Sequence, residues 1–324
     1  MNAPSSQVEF SVVIPNYNHA TYLPAALDSV VSQSLQPLEI CVIDDASTDN
    51  SVEIINAYAR QHPRIHLIRK SENSGMLANC NEILGQLRGT HVIFLGADDY
   101  LLPNALAQAC GLVSQHSHAG ICLWDLLELG FDGGEKRFSY ALADRPAYFS
   151  PALVAKKLRY VPIIGMGAYR LDCLRKMGGF PVDLRWHTDQ FTVLVLALRH
   201  GICYLPEPLW AYRHLRESYG NRGMSGPEQI HVLRGFLSHL QSEEFADVRE
   251  GFRDSGGLAI FGYRLLKELR TFPGGRYYLT PSLAGWLLRR KLRSYVRHPV
   301  PRPIKAWFRS TFNRKFRRAT MKIG

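Results

Sequence analysis

The 324-residue sequence predicts an α/β fold: a mostly parallel central sheet with helices on both faces, then a C-terminal helical region and a basic amphipathic tail. Two observations predict it. Over the first hundred residues, short β-branched runs alternate with stretches of helical spacing, the β-α-β order that builds helix-covered parallel sheets. From Pro227 onward the spacing becomes helical, and the last segment carries no acidic residue at all.

Phe10–Pro15 (FSVVIP) and Leu38–Asp44 (LEICVID) read as the first two strands, each ending in a polar loop. A helix follows the first, with Pro24 near its start and Leu23, Ala26, Leu27, Val30 and Val31 on one face. The helix after the second opens at Asn50, where Glu53 three residues on suggests a capping box. Ile65–Ile68 and His91–Leu95 continue the strand pattern, with a helix between them from about Gly75 to Gln86. Beyond Tyr100 the pattern is less regular. Ala119–Trp124, Gly165–Tyr169 and Ile202–Leu205 read as strands and Gln190–Arg199 as a helix. Ile230, Leu233, Phe236, Leu237 and Leu240 then form a helical stripe, Phe252–Leu269 holds one or two more helices, and Pro273-Gly274-Gly275 breaks the run.

The formal net charge of +11 is unevenly placed. Thirteen of the 39 basic residues fall between Leu287 and Gly324, and the other 26 stand against 28 acidic ones, so a basic tail follows a near-neutral body. The charge therefore says little about the body's ligand, and no nucleic-acid motif accompanies it. Six scattered cysteines without C-x-x-C spacing fit a reduced, cytosolic compartment. The amino terminus lacks a basic or hydrophobic leader, and the longest apolar run, Phe191–Leu198, falls short of the roughly 20 residues of a membrane span.

In parallel sheets, ligands bind beyond the carboxyl ends of the strands. Four polar clusters fall there: Pro15-Asn16-Tyr17-Asn18, Asp44 to Asp49, Asn73-Ser74-Gly75 with Asn79 and Asn81, and Gly96-Ala97-Asp98-Asp99. Adjacent carboxylates repel each other. A divalent cation that bridges them to a diphosphate gives them a purpose, because Mg²⁺ or Mn²⁺ is commonly held by one or two carboxylates plus phosphate oxygens. Helix capping is the competing reading for Asp98 and Asp99 and for Asp44 and Asp45, and the preferred one for Asp49 and Asn50.

The strings SVVIPNYNHATYLPAALDSVVSQSLQPLEICVIDDASTDNS, NSGMLANCNEIL and HVIFLGADD closely resemble the nucleotide-binding half of family 2 glycosyltransferases of the GT-A fold. Gly165 to Arg170, Gly178-Gly179-Phe180, Thr188-Asp189 and Leu209 to His214 continue the resemblance, which covers about residues 8 to 218. It implies that Pro15, Tyr17, Asn18 and Asp45 bind the donor nucleotide, with Asp45 bonding uracil if the donor is a UDP-sugar. It implies further that Asp98 contacts the ribose, that Asp99 binds the Mn²⁺ or Mg²⁺, and that Asp189 is the catalytic base. His214 stands where relatives often have a metal- or diphosphate-side His, and its alternative is a surface role. Two positions depart from the family: Gly96 replaces an acidic residue, and His187-Thr188 stands where relatives often carry Glu before the base.

Three regions are expected: a catalytic domain over 1–218, an accessory helical region over 219–282 and a membrane-association tail over 283–324. In the tail, Leu288, Leu292, Tyr295 and Val296 share a face, as do Ile304, Trp307, Phe308, Phe312 and Phe316, with basic residues opposite. Such helices suit an anionic membrane surface, with packing against the catalytic domain as the alternative. The expected activity is transfer of a sugar, with inversion, from a nucleotide-sugar donor to a lipid-linked or polysaccharide acceptor in bacterial surface-glycan synthesis. It would take place at the cytosolic face of the membrane, without nucleic acid. A nucleotidyltransferase is the second enzyme reading, although no Gly-rich phosphate loop follows the first strand. A non-catalytic carbohydrate-binding scaffold is the third, and a dehydrogenase is disfavoured because no G-x-G-x-x-G is present.

Overall fold

The computed structural model describes residues 7–215 and 226–297. Ten strands form one sheet: β1 (Phe10–Asn16), β2 (Glu39–Asp44), β3 (Ile65–Arg69), β4 (His91–Phe94), β5 (Tyr100–Leu101), β6 (Ile121–Leu129), β7 (Glu135–Phe138), β8 (Ala147–Phe149), β9 (Gly167–Arg170) and β10 (Ile202–Arg213). The main path runs β3-β2-β1-β4-β9-β6-β10-β5, with β7 on β6 and β8 on β10.

The four strands β3-β2-β1-β4 are all parallel. Their connections carry α1 (Leu23–Val31), α2 (Ser51–Gln61) and α3 (Met76–Ile83). Every residue of β2 is buried, as expected of a parallel strand covered on both faces. The second half of the sheet is mixed. β9 runs antiparallel between β4 and β6, and β6 pairs in parallel with β10. β10 is far longer than the Ile202–Leu205 expected from the sequence. Register shifts between Leu205 and Pro208 and between Pro208 and Trp210 let it pass the prolines and pair on to Arg213. Its extension places Trp210 to Arg213 beside the carboxyl ends of β1 and β4.

One core lies where α1 and α4 (Ala105–Gln115) meet the sheet, around Ile14, Leu27, Ile93, Leu106, Trp124 and Trp210. α7 (Thr188–His200) is buried almost all round, from Phe191 to Ala197, and packs on α5 (Pro151–Lys157). This explains its apolar run without a membrane. Among the described residues no helix is long and apolar enough to cross one.

The remaining helices are α6 (Leu171–Lys176), α8 (Gln229–Gln241), α9 (Arg249–Ser255), α10 (Leu265–Thr271) and α11 (Pro281–Arg297). Two compact units divide the chain, residues 1–260 and 261–324. The first runs past the boundary expected at 218, because α8 and α9 pack with the sheet-bearing unit: Phe236 and Phe252 meet the Phe191 ring at 5.0 and 5.6 Å. In the second unit, Lys291 lies 4.6 Å over Tyr263 and Arg290 5.3 Å over Trp286. Leu288 and Tyr263 are exposed. The second amphipathic stretch, Ile304 to Phe316, lies outside the described residues.

Candidate active site

The loops after β1 and β2 are tied to each other by their own polar side chains. Asn16 Nδ2 donates to Asp44 Oδ1 (2.9 Å) and Ser47 Oγ (3.1 Å), and the Ser47 N–H closes back on Asp44 Oδ2 (3.1 Å). Asn18 adopts φ 57°, and its Oδ1 accepts the N–H groups of Thr48 (2.8 Å) and Asp49 (3.3 Å). Its side chain therefore holds the second loop in place. Asp49 Oδ1 accepts from the Ser51 N–H (3.0 Å) and hydroxyl (2.6 Å), which burdens Asp49 with starting α2. Asn50 makes no side-chain cap bond, so the capping box expected with Glu53 does not form.

Asp45 is buried, and its two oxygens accept the backbone N–H groups of Ser74 and Gly75, each at 2.9 Å. Gly75 takes φ +87°, a conformation that turns both N–H groups toward the carboxylate at the start of α3. Each oxygen keeps an acceptor lone pair for a further donor. Tyr17 and Met76 are exposed, and Pro15 is half-buried beside Ile43 in the β1–β2 ladder.

Asp98 and Asp99 follow β4, and neither caps α4, whose N-cap is Asn104. Asp99 is buried and anchored to β10: Oδ2 accepts the Trp210 indole N–H (3.0 Å) and Oδ1 the Arg213 N–H (2.8 Å). Burial, followed by the charge of Asp98, pushes the Asp99 carboxyl up to about 8. Asp98 is half-buried, its carbonyl accepts Arg213 Nε (3.0 Å), and the Arg213 guanidinium lies 5.0 Å over Tyr22. A Cβ on Gly96 would stand 2.9 Å from Asp98 Oδ1 and 3.4 Å from Asp99 Oδ2, so the missing acidic residue leaves room that these carboxylates occupy. His214 Nε2 lies 3.8 Å from Glu128 Oε1.

Asp189 sits in the first turn of α7, half-buried, with the Gly165 N–H directed at its carboxylate. Burial raises its pKa to about 6 and the N–H opposes the rise. A Cβ on Gly165 would fall 2.4 Å from the Tyr169 hydroxyl and 2.8 Å from the Asp189 carboxyl, so only glycine fits. The segment before it is pinned. Gln190 Oε1 accepts the Ile163 N–H (2.8 Å), Tyr140 donates to the Ile164 carbonyl (2.8 Å), and Tyr169 donates to the Gly165 carbonyl (2.6 Å).

Tyr212 shows which of these groups share one site. Its hydroxyl pKa is raised by burial and then by the charges of Asp99, Asp98, Glu128 and Asp189, so all four carboxylates lie within electrostatic reach of it. Asp45 is anchored by the two residues that precede α3, and further along the same helix the Cys80 thiol is raised by burial and by the Asp189 charge. Asn81 on the same helix bonds both the N–H and the carbonyl of Phe180, at 2.7 and 2.8 Å. Gly179 must be glycine for that approach, because its Cβ would meet Asn81 Oδ1 at 2.4 Å.

The sequence reading did not single out Trp210, Tyr212 or Arg213, although all three lie inside the Leu209–His214 string. Glu128, Tyr140 and Gln190 carried no sequence signal. Among the described residues, no group of three or more His, Cys, Asp or Glu side chains is arranged to hold a metal. Asp98 and Asp99 instead fit a cation held by carboxylates together with a ligand's own oxygens: they stand side by side, and the charge of one resists ionisation of the other.

Residues 11–154 match the family model for glycosyl transferase family 2. An uncharacterized glycosyltransferase of Nostoc sp., alr2836, is 32% identical over 216 residues, 64% of this chain and 65% of that protein. The hyaluronan synthase of Pasteurella multocida is 36% identical over 96 residues, 30% of this chain but only 10% of the synthase. Among solved structures, S. aureus TarS 1–349 in complex with UDP-GlcNAc superposes with a TM-score of 0.60 at 19% identity, covering 84% of this chain and 88% of that one. The Pyrobaculum calidifontis mannosyltransferase PcManGT, in complex with GDP-Man and Mn²⁺, gives 0.57 at 17%, covering 95% and 85%. At these identities the structural likeness is one of fold. Residues 11–154 are thus similar to glycosyl transferase family 2, and the sheet-bearing unit has the GT-A fold.

Proposed function

We propose that the protein transfers a sugar, with inversion at the anomeric carbon, from a nucleotide-diphosphate donor to a hydroxyl of a bacterial surface glycan or its lipid-linked precursor. The observation that carries this reading is Asp189: a carboxylate in the first turn of α7, faced by the Gly165 N–H and raised by burial to about 6, within electrostatic reach of the Tyr212 hydroxyl that Asp98 and Asp99 also reach. Near neutral pH it is charged yet basic enough to take a proton, as a general base must be. The acceptor oxygen attacks the anomeric carbon, its proton passes to Asp189, and the bond from that carbon to the diphosphate oxygen breaks with its electron pair leaving on the diphosphate.

Asp45 accepts the N–H of the donor base through lone pairs left free by Ser74 and Gly75, which suits uracil N3–H. Tyr17 and Pro15 flank the base, and Asp98 takes the ribose hydroxyls. Asp99 would hold the divalent cation, with Asp98 and His214 as the further candidates. Bound Mn²⁺ or Mg²⁺ supplies Lewis-acid stabilisation of the departing diphosphate. The fold of TarS and PcManGT, solved with UDP-GlcNAc and with GDP-Man and Mn²⁺, supports this choice of donors and ion.

The test is release of nucleoside diphosphate from a panel of UDP-glucose, UDP-GlcNAc and GDP-mannose with Mn²⁺. Turnover that chelator abolishes and Asp99→Ala removes is expected. No turnover of any donor, or full activity in Asp99→Ala, overturns the reading, and donor binding without turnover leaves a carbohydrate-binding scaffold. The basic, acid-free segment from residue 284 onward supports a working place on the cytosolic face of an anionic membrane. Removing 284–324 is expected to abolish sedimentation with phosphatidylglycerol vesicles, and continued sedimentation defeats that placement.

A further inference from the structure

The turn that delivers Asp189 is held from outside the sheet. The 3-10 turn Val182–His187 ends immediately before α7, and within it Arg185 adopts φ 46°, ψ −120°. A non-glycine residue in that region persists only where its surroundings over-determine it. Here the surroundings are α8 and the residue before it. Asp183 pairs with His239 Nε2 at 2.9 Å, and Arg185 forms an ion pair with Glu228. Gln229 makes the central contact: its Oε1 accepts the Trp186 indole N–H at 2.6 Å, and its Nε2 lies 2.7 Å from His187 Nε2.

The orientation of that amide follows from its partners. An indole N–H only donates, so Oε1 faces Trp186 and the amide N–H donates to His187. His187 and Gln229 are both buried, and burial lowers the His187 pKa to about 4, which keeps the ring a neutral acceptor. One side chain thus fixes two consecutive residues directly ahead of Thr188 and Asp189.

We propose that Gln229 is a positioning residue for the catalytic base, acting through Trp186 and His187 to fix the start of α7 so that the Asp189 carboxylate faces the Gly165 N–H. The inference rests on the reading of Asp189 as the base. It assigns α8 a part in the chemistry although α8 touches neither donor nor metal ligands, and it gives the His187-Thr188 departure a purpose: His187 is the acceptor that Gln229 requires.

The experiment compares Gln229→Leu, Gln229→Glu and Trp186→Phe with the parent in turnover of UDP-GlcNAc with Mn²⁺, or of whichever panel donor the parent uses, with water as the acceptor. Leucine removes both hydrogen bonds. Glutamate keeps the Trp186 bond and accepts from His187 once that ring presents Nε2–H. Gln229→Leu is expected to lower kcat about 10-fold or more, with donor KM within about twofold of the parent, the signature of a displaced catalytic group. Gln229→Glu is expected to recover kcat to within about threefold, and Trp186→Phe to lose about threefold. A Gln229→Leu kcat within twofold of the parent overturns the proposal, as does a glutamate variant no better than leucine. If Gln229→Leu does not fold, a Trp186→Phe variant with parental kcat overturns it alone. Asp189→Asn separates the two readings: an active Asp189→Asn removes the base itself, whereas an inactive Asp189→Asn beside a fully active Gln229→Leu removes only the positioning role.

Discussion

The proposed donor side and the proposed base side of this site hold their carboxylates in opposite ways. On the donor side, Asp44, Asp45 and Asp49 accept backbone N–H groups from loops next to them in the fold, at 2.9 to 3.1 Å. On the base side, Asp189 receives one N–H, from Gly165, and its place depends on a turn braced by side chains some forty residues away. Backbone donors fix the position of a carboxylate, whereas burial of a carboxylate raises its basicity toward what general-base catalysis needs. Binding precision and chemical reactivity are therefore built from different materials in one cleft.

The strongest way to break this contrast is Asp189→Asn. A loss of about 10³-fold in kcat is expected, within the span of general-base catalysis. In the parent, kcat should fall as pH drops through about 6, because the working form is the carboxylate. Stability should move the other way. The folded carboxyl holds its proton to about 6 against an ordinary 3.8, so the folded state binds the extra proton between those values and loses stability as pH rises through them. Asp189→Asn should thus be more stable than the parent by on the order of 2 kcal/mol at pH 7.5, with the difference gone below pH 4, as read by chemical denaturation. A variant no more stable than the parent at pH 7.5 would mean that the base is not held against its own charge.

Gly165→Ala should come next, with kcat down about 100-fold, because an added methyl displaces the Asp189 carboxyl by the better part of an ångström. Its donor KM should stay within about threefold of the parent, separating the two sides of the cleft. Asp45→Asn should show the smallest kinetic effect and the opposite split. An amide accepts from only one of the two N–H groups and sets its own NH₂ against the other, which costs about 1–2 kcal/mol of stability. Donor KM should rise about 10-fold with kcat little changed. A kcat loss as large as that of Gly165→Ala would erase the division between a binding side and a reacting side.

The same contrast explains what could be read from the sequence. The parallel half was legible because β1, β2 and β4 are contiguous apolar runs whose site residues follow them directly, so position along the chain stands in for position in space. The base side was only partly legible. Asp189 could be named from Thr188-Asp189, but the brace on its turn joins Asp183 to His239 and Trp186 to Gln229, pairings that no local spacing encodes. The strand expected over Ile202–Leu205 runs on, because register shifts carry β10 past Pro206 and Pro208 to Trp210 and Arg213. For Asn18 the family resemblance implies a nucleotide contact, and what the sequence does not show is that its Oδ1 also accepts from the Thr48 and Asp49 N–H groups of the neighbouring loop.

The bond from the Trp210 indole to Asp99 also makes the protein its own optical reporter. Trp210 is almost fully buried, and its N–H points at the carboxylate whose charge changes when a proton or a cation arrives. Any such event alters the electric field along the indole ring and hence the colour of its emission. If Asp99 holds the cation as proposed, adding Mn²⁺ or Mg²⁺ is expected to shift the intrinsic emission of the native chain, and Trp210→Phe to abolish that shift.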